Sequence, residues 1–381
     1  MSPVALHASR VLTPAGFQPD WCILVDRGLI AAVMPSSACP AHVRKRSLEG
    51  DLLPGFIDLQ VNGGGGILFN DHPTVDGIAA IGEAHRRFGT TGFLPTLISD
   101  DLEVVERAIA AVDAAIQQAV PGVLGIHIEG PFLNPAKQGV HDASKFRILD
   151  ADAINVLASL RHGRTLVTLA PEMAPPGAIR ALVDRGVVVA AGHTAGSYEE
   201  IKASFAEGLS GFTHLFNAMT QLGSREPGAV GAALDSSASW CGLIVDGHHV
   251  HPATLRIALA AKGAERLAIV TDAMPTVGWD GREFLLGGRR IAAADGRCAA
   301  PDGTLAGSDL NMAEAVRNAV RLLGVDRATA VRMASAVPAS VLGISGERGS
   351  IEPGLRADLV LVDAQGMVIE TWIDGESKPA L

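Results

Sequence analysis

At several points in this 381-residue chain, a short run of apolar and β-branched residues ends in acidic, amide or imidazole side chains. Glu129, His193 and His214 each stand at such a point. Two imidazoles and one carboxylate that leave a fourth position open are the ligand set of many catalytic zinc sites. A lone histidine of this kind would most simply be a hydrogen-bonded rim residue. The three together favour a metal centre that activates water for hydrolysis.

Asp272, after the last of these runs, is the candidate general base. Water activated by a metal ion needs a carboxylate within hydrogen-bond reach, and the same carboxylate can then protonate a leaving amine. The alternative is an aspartate that caps a turn before the glycine-rich stretch that follows. His127 precedes Glu129 by two residues and so points to the same side of an extended strand. It could be another ligand, but we expect it to support the ligands or to line the barrel.

The elements that position these residues follow a regular alternation. Eight apolar runs predict strands, and helical patterns separate most of them. The runs begin near residues 56, 93, 123, 165, 187, 211, 240 and 267, and the helical patterns cover about 75–88, 101–118, 150–160, 176–185, 197–207, 252–264, 310–323 and 327–341. Eight strands alternating with helices predict a (β/α)8 TIM-type barrel, with an open doubly wound sheet as the alternative.

A barrel would bring the polar groups together, because the carboxyl ends of its parallel strands meet at one rim. Polar residues follow the first, third, fifth, sixth, seventh and eighth predicted strands. The seventh is followed by Asp246 and by a cluster of histidines, of which we assign only His249 to substrate binding. Six such positions together indicate one polar pocket on one rim.

Both ends of the chain have the alternation and turn residues of β-hairpins. Each set of strands would be only marginally stable alone, so we expect the two chain ends to pair in one small β-sandwich-like domain. The predicted domains are therefore residues 1–53 with 345–381, and a barrel over 54–344. The glycine-rich stretch 278–308 is predicted to be a hairpin-like insertion after the eighth strand.

Composition excludes several classes of protein. Hydrophobic residues make up 48% and charged residues 19%, which permits a large core and excludes wholesale disorder. A net charge of −10 argues against a nucleic-acid partner. Neither a membrane span nor a signal peptide is visible, so we expect a cytoplasmic protein. The four cysteines are widely scattered without a C-x-x-C pair, and we expect them to be ordinary reduced thiols.

Six segments carry a family resemblance. They are 127–131 (HIEGP), 191–194 (AGHT), 213–219 (THLFNAM), 223–228 (GSREPG), 246–249 (DGHH) and 270–274 (VTDAM). In this order and at these strand positions they resemble the N-acetylglucosamine-6-phosphate deacetylases, a family of the amidohydrolase superfamily. The resemblance covers nearly the whole chain, from residue 54 to residue 359. It implies a (β/α)8 barrel, a small sheet domain built from both chain ends, and hydrolysis of the substrate's acetamide to acetate and glucosamine 6-phosphate.

The resemblance also implies roles for individual residues. Glu129, His193 and His214 match the ligands of a divalent metal ion, most simply Zn²⁺. Asp272 matches the catalytic aspartate, and His141 matches a histidine that polarises the acetyl carbonyl. The substrate contacts implied by the resemblance, together with two residues of the first strand tip, are Gln60, Asn62, His141, Asn217, Ala218, Arg225 and His249.

Arg225 matches an arginine that reaches the phosphate from the neighbouring subunit, so the resemblance implies a homodimer. A guanidinium fork suits phosphate oxygens, and an acidic protein that binds an anionic sugar needs such a local positive charge. The alternative is a surface arginine paired with Glu226.

The first strand tip departs from the pattern of many amidohydrolases. They bind a second metal there with His-x-His, whereas this chain has Gln60 and Asn62, and amides are poor substitutes for imidazole. No lysine ends the fourth strand to bridge two ions. We therefore expect one metal ion per subunit, with a two-metal form as the alternative.

Three other functions remain open from the sequence. One is deacetylation of the galacto epimer, because the fit of a single axial hydroxyl depends on pocket detail. Another is the activity of a different amidohydrolase, such as a cyclic-amide hydrolase. The third is a non-catalytic scaffold or sugar-phosphate sensor on the same fold, since fold does not fix function.

Overall fold

The computed structural model describes residues 3–380, and its two chain ends contribute strands to one mixed sheet. The central strand of this sheet, β5 (Arg44–Pro54), pairs in parallel with β1 (Val4–Thr13) and antiparallel with β20 (Leu359–Val362). The strands of this terminal sheet are β1 (Val4–Thr13), β2 (Gly16–Pro19), β3 (Trp21–Asp26), β4 (Leu29–Pro35), β5 (Arg44–Pro54), β20 (Leu359–Val362), β21 (Val368–Ile373) and β22 (Glu376–Pro379).

The turn between β3 and β4 illustrates how local sequence sets this sheet. Arg27 and Gly28 both have positive φ, of 50° and 79°, which is the geometry of a tight hairpin turn. A Cβ at position 28 would lie 2.8 Å from the carbonyl oxygen of Asp374. Glycine is therefore required there both for the turn and for the close approach of the C-terminal strands.

Eight buried strands form a parallel barrel, as the sequence predicts. They are β6 (Phe56–Val61), β9 (Thr90–Ile98), β10 (Gly125–Glu129), β11 (Arg164–Leu169), β12 (Val188–Ala191), β13 (Gly211–Phe212), β14 (Trp240–Ile244) and β15 (Leu267–Val270). They pair in that order, and a bridge between Val61 and Ala273 closes the ring. A short hairpin, β7 (Gly63–Gly64) with β8 (Ile67–Leu68), follows the first barrel strand.

Helices surround the barrel, and several of them begin after a residue whose side chain caps them. Thr74, Asp150 and Ser197 each accept a hydrogen bond from a backbone N–H of the helix they precede. The helices are α1 (Val75–Arg86), α2 (Leu102–Gln117), α3 (Ala151–Leu157), α4 (Ala178–Val183), α5 (Tyr198–Ala206), α6 (Gly228–Asp235), α7 (Pro252–Lys262), α8 (Met312–Asn318), α9 (Arg327–Ala334) and α10 (Ala336–Val341), with a π-helical turn at Ala319–Leu323. Short 3-10 turns cover Ser36–Ala38, Pro135–Lys137, Ala143–Lys145, Pro171–Met173 and Ala264–Arg266. No helix within residues 3–380 combines the length and apolar character needed to span a membrane.

The stretch after the eighth barrel strand is an antiparallel meander rather than a single hairpin. Its strands are β16 (Glu283–Leu286), β17 (Arg289–Ala294), β18 (Arg297–Ala299) and β19 (Leu305–Ser308). Leu286, Ile291 and Ala306 pack with Ile98 and Met274 at the carboxyl ends of the barrel strands. The meander therefore lies against the rim that carries the predicted polar pocket.

Candidate active site

Three barrel strands bring the predicted metal ligands together. Glu129 is the last residue of β10, while His193 and His214 lie two residues beyond β12 and β13. The His214 Nε2 atom lies 2.9 Å from Glu129 Oε1, and His193 Nε2 lies 3.3 Å from the same oxygen and 3.2 Å from His214 Nε2. Ligand atoms of a tetrahedral zinc ion lie about 3.4 Å apart. The spacing therefore suits one cation.

A hydrogen bond behind this triad directs the lone pair of His193 toward its centre. The Nδ1 atom of His193 donates to the backbone carbonyl of Lys137 over 2.8 Å, so Nε2 keeps its lone pair. Burial alone would raise the pKa of Glu129, but its close contacts with His193 and His214 outweigh burial and hold that pKa well below its usual range. An ionised carboxylate and two imidazole nitrogens directed at one point are a suitable donor set for a divalent cation.

Backbone strain accompanies these positions. His193, His214 and Asp272 have φ values of 48°, 31° and 53°, a region that non-glycine residues rarely adopt. Such strain persists only where the surrounding structure holds it, and it is concentrated at functional sites.

Asp272, just beyond β15, is held by two amides from the first barrel strand. Its Oδ1 atom accepts hydrogen bonds from Asn62 Nδ2 at 2.6 Å and from Gln60 Nε2 at 3.1 Å. Gln60 Nε2 also donates to Glu129 Oε2 over 3.1 Å. Burial and the negative charge of Glu129 raise the pKa of Asp272 to about 6. A carboxyl group with this pKa can both accept and return a proton near neutral pH.

His141 is held as a neutral donor. Its Nδ1 atom accepts from the backbone N–H of Ser99 at 3.3 Å and lies 2.8 Å from Ser99 Oγ, so the ring proton is on Nε2. Burial, followed by the neighbouring His193, lowers the pKa of His141 to about 3. The ring centroids of His141 and His193 are 4.4 Å apart. His141 can therefore offer a hydrogen bond beside the metal ligands without carrying a charge.

A cavity of about 350 Å³ opens over these groups. It is lined by Glu129, His141, His193, His214 and Asp272, by Asn217, Ala218 and His249, and by apolar residues that include Met274 and Leu305. The His249 Nδ1 atom lies 2.6 Å from Asp246 Oδ2, and Asn217 Nδ2 donates to the backbone carbonyl of His214 over 3.1 Å. These hydrogen bonds fix both side chains in the cavity wall.

Three of the predicted substrate contacts do not line this cavity. Gln60 and Asn62 lie behind Asp272 and bind its carboxylate. Arg225 is exposed on the loop before α6 and makes no ion pair within residues 3–380. Of the two histidines left unassigned, His248 is exposed and His251 caps α7 through its side chain.

The sequence reasoning missed some supporting residues. Ser99 directly follows the second barrel strand, and the sequence analysis did not include this polar residue among those at the strand ends. Asp246 was noted only as a strand end, although its spacing of three from His249 suits a side-chain pair in a turn. His127 was not missed: the sequence analysis expected it near the ligands, and it contacts Thr96 and Thr168 inside the barrel, where burial lowers its pKa to about 4. The carbonyl of Lys137 has no side-chain signature in the sequence.

A (β/α)8 barrel whose rim joins two histidines, a glutamate and an aspartate over an open cavity defines a metal-dependent hydrolase. Residues 52–378 match the sequence model of the amidohydrolase family. The chain belongs to the amidohydrolase family, as the sequence resemblance predicted.

Relatives with established names align along nearly the full chain. The N-acetylgalactosamine-6-phosphate deacetylase of Shewanella sp. (strain ANA-3) is 41% identical over 97% of this chain and 94% of its own length. The N-acetylglucosamine-6-phosphate deacetylase of Haemophilus influenzae is 35% identical over 94% of this chain and 95% of its own. The crystal structure of the Pasteurella multocida N-acetylglucosamine-6-phosphate deacetylase superposes with a TM-score of 0.95 at 34% identity, covering 99% of this chain and 100% of that one. The predicted barrel fold is thereby confirmed.

Proposed function

We propose that this chain hydrolyses the acetamide of N-acetylglucosamine 6-phosphate to acetate and glucosamine 6-phosphate. The observation that carries the proposal is the convergence of Glu129, His193 and His214 within 3.3 Å beside Asp272. The relatives support it, since a Mycobacterium smegmatis N-acetyl-D-glucosamine-6-phosphate deacetylase in complex with N-acetyl-D-glucosamine-6-phosphate superposes with a TM-score of 0.91 at 33% identity.

The donor set fits one divalent ion, most simply Zn²⁺, held by Glu129, His193 and His214. When bound, an ion of this kind polarises a carbonyl oxygen and lowers the pKa of a water molecule to about 7. The amides of Gln60 and Asn62 are engaged with carboxylates, which supports a single ion rather than two.

The chain's own residues then manage the proton and the developing charge. His141 donates from Nε2 to the acetyl carbonyl oxygen as negative charge grows there. The Oδ1 atom of Asp272 is occupied by two amide donors, and Oδ2 makes no hydrogen bond within residues 3–380. Oδ2 is therefore the atom that takes the proton from water and returns it to the sugar nitrogen. The C–N bond breaks, a C–O bond forms, and acetate and the amine leave.

The phosphate site is proposed to include Asn217, Ala218 and His249, which line the same cavity. Arg225 is exposed and lies outside the cavity of its own chain. We assign it to the phosphate bound by a second copy in a homodimer, where its guanidinium would supply the bidentate contact that a phosphate favours.

A second candidate substrate is the galacto epimer. Two relatives named N-acetylgalactosamine-6-phosphate deacetylase are 41% and 38% identical to this chain, above the 35% of the Haemophilus enzyme. The two sugars differ only at the 4-hydroxyl, so the same metal site and Asp272 serve either one.

The deciding experiment measures acetate release from four sugars: the 6-phosphates of both epimers and their unphosphorylated forms. We expect turnover of at least one phosphorylated sugar, with a clear loss of kcat/KM when the phosphate is absent. Purified protein is expected to carry a divalent ion in the catalytic site. Failure to release acetate from either phosphorylated sugar by metal-loaded protein would refute the proposal.

Two further assignments belong to this proposal. The domains are residues 1–53 with 345–381, and 54–344 with the insertion 278–308. An apolar cluster confined to the terminal sheet supports this division, while the other face of that sheet packs into the barrel cluster through Leu53 and Val360. The reaction is assigned to the cytoplasm, which the four free cysteines support because disulfides are rare there.

A further inference from the structure

The terminal sheet has a second, smaller apolar cluster on the face opposite its main one. Leu6 and Ile23 point into the main cluster, so their neighbours His7 and Cys22 project from the other face. His7 and Cys22 are register partners on β1 and β3, which places their side chains next to each other. Cys39 follows the 3-10 turn after β4 and packs against Cys22. The topology therefore brings one imidazole and two thiols together.

These three side chains have the spacing of a compact ligand group. One ring nitrogen of His7 and the two sulfurs all lie within 4.8 Å of one another. Cys22 is 1% exposed and Cys39 9% exposed, while His7 is partly accessible. Ligand atoms at zinc–sulfur and zinc–nitrogen distances of about 2.3 and 2.0 Å lie about 3.5–3.8 Å apart. Small side-chain rotations would close the difference.

The hydrogen bonds of His7 are those of a ligating histidine. Its Nδ1 atom lies 3.0 Å from Ser36 Oγ, whereas Nε2 is buried and has no partner within residues 3–380. Metal-bound imidazoles usually have one ring nitrogen hydrogen-bonded and direct the lone pair of the other to the ion. With Nδ1 donating to Ser36 Oγ, the lone pair of Nε2 is available to an ion.

We propose that His7, Cys22 and Cys39 form a second metal site, distinct from the catalytic one, which binds a thiophilic divalent ion of the Zn²⁺ type. One nitrogen and two sulfurs are ligands that such ions favour. Two thiolates neutralise the ion, so the assembled centre adds no net charge to an apolar cluster. Three protein ligands leave the fourth position of a tetrahedral ion to water or another donor.

Binding must displace two thiol protons to solvent. Burial, then the neighbouring Cys39, raises the pKa of the Cys22 thiol to about 11 without an ion. A coordinated ion reverses this preference, because coordinating thiols are deprotonated. The bound ion would fasten residues 36–43, which cover this face of the sheet, to β1 and β3. This role differs from the expectation of four ordinary thiols; Cys241 and Cys298 lie outside the cluster.

The test uses Co²⁺ on the full-length protein after removal of metal under reducing conditions. The catalytic donor set contains no sulfur, so thiolate-to-cobalt charge-transfer absorption reports the second site alone. We expect two equivalents of Co²⁺ per chain, with this absorption saturating at one equivalent. Zn²⁺ should protect Cys39, the most exposed of the four thiols, from a thiol-modifying reagent.

Matched variants separate the two sites. Cys39→Ala is expected to lose the absorption and one equivalent of metal while it keeps acetate release. Cys298→Ala removes a buried thiol elsewhere and should keep both sites. His214→Ala should keep the absorption and lose the other equivalent. If Cys39→Ala fails to fold, His7→Gln takes its place in the test. It removes the imidazole but leaves both thiols, and it should weaken Co²⁺ binding at this site at least tenfold.

Three results would overturn the proposal. One is a wild-type protein that binds a single equivalent without the charge-transfer absorption. Another is absorption that survives in a folded Cys39→Ala variant. The third is a purified protein lighter by two hydrogens and without metal at this site, since that would indicate a disulfide between Cys22 and Cys39.

Discussion

Asn62 offers a direct test of how the catalytic carboxylate is held. Its Nδ2 atom donates to Asp272 Oδ1 over 2.6 Å, and its Oδ1 atom is buried with no partner within residues 3–380. The side chain therefore makes one hydrogen bond, and that bond is to the proposed base. Asn62→Ala would remove this hydrogen bond, and within residues 3–380 the Asn62 side chain makes no other hydrogen bond that the substitution could break.

The size of the effect follows from the type of bond. A hydrogen bond to a charged group contributes about 1.5–3 kcal/mol. Gln60 still donates to the same oxygen, so we expect the lower part of this range to be lost, about 1.5–2 kcal/mol. That corresponds to a fall of about 10- to 30-fold in kcat/KM. Since Asn62 does not line the cavity, the loss should fall on kcat rather than KM.

The assay is steady-state acetate release, with bound metal and thermal stability measured on the same samples. Asn62→Asp is expected to lose more activity, because it places a second carboxylate against Asp272. Ser335→Ala is the control: this buried hydroxyl, between α9 and α10 and away from the cavity, donates to the Val331 carbonyl, and its loss should lower stability but leave kcat unchanged. A kcat for Asn62→Ala within twofold of wild type would refute the positioning role.

Three further outcomes are expected. Asp272→Asn should lower kcat by about 10²–10⁴-fold while bound metal is retained, since general acid–base catalysis contributes this much; near-normal turnover would remove Asp272 as the base. Arg225→Ala should raise KM for the phosphorylated sugar about tenfold or more, the value of a charged hydrogen bond, and leave the unphosphorylated sugar unaffected; equal effects on both sugars would contradict the phosphate assignment. His85 is fully buried with a pKa lowered by burial to about 4, so its neutral form stabilises the fold above about pH 6.5 and that stability is lost as pH falls toward 4. When the pH is lowered from about 7.5 to about 5.5, the free energy of unfolding of His85→Gln, measured with denaturant, should therefore fall by about 1 kcal/mol less than that of the wild type. If the two free energies fall in parallel, His85 does not control this pH dependence.

The barrel was predictable because its signal is local and repeated. Each strand is a short buried run, and even β13, only Gly211–Phe212, was visible from the apolar residues before Thr213. Ligands that directly follow such strands are placed by the fold itself, since all parallel strands end at one rim. Glu129, His193 and His214 could therefore be grouped without any knowledge of loop geometry.

Contacts that depend on loops and on barrel closure could not be predicted in this way. Asn62 and Asp272 are 210 residues apart and meet only because the first and last strands pair. The positive φ of His193 could not be predicted, because the residue at that position is not a glycine, the usual sequence indicator of such a backbone conformation. The position of Cys39 beside His7 and Cys22 could not be predicted either. It depends on the register between β1 and β3 and on the path of the segment that covers them, and residue spacing encodes neither.

The position of Asp272 at the seam of the barrel separates metal binding from proton transfer. The three metal ligands follow β10, β12 and β13, which belong to one continuous run of paired strands. Asp272, by contrast, is fixed where β15 meets β6. Its backbone N–H donates to the carbonyl of Gln60, and its backbone carbonyl accepts a hydrogen bond from the N–H of Ser308. Beneath it, Thr271 donates to the buried Asp58, whose pKa burial raises to about 7. A disturbance of the seam would therefore displace the base directly, and it would reach the metal ligands only through the hydrogen bond from Gln60 to Glu129.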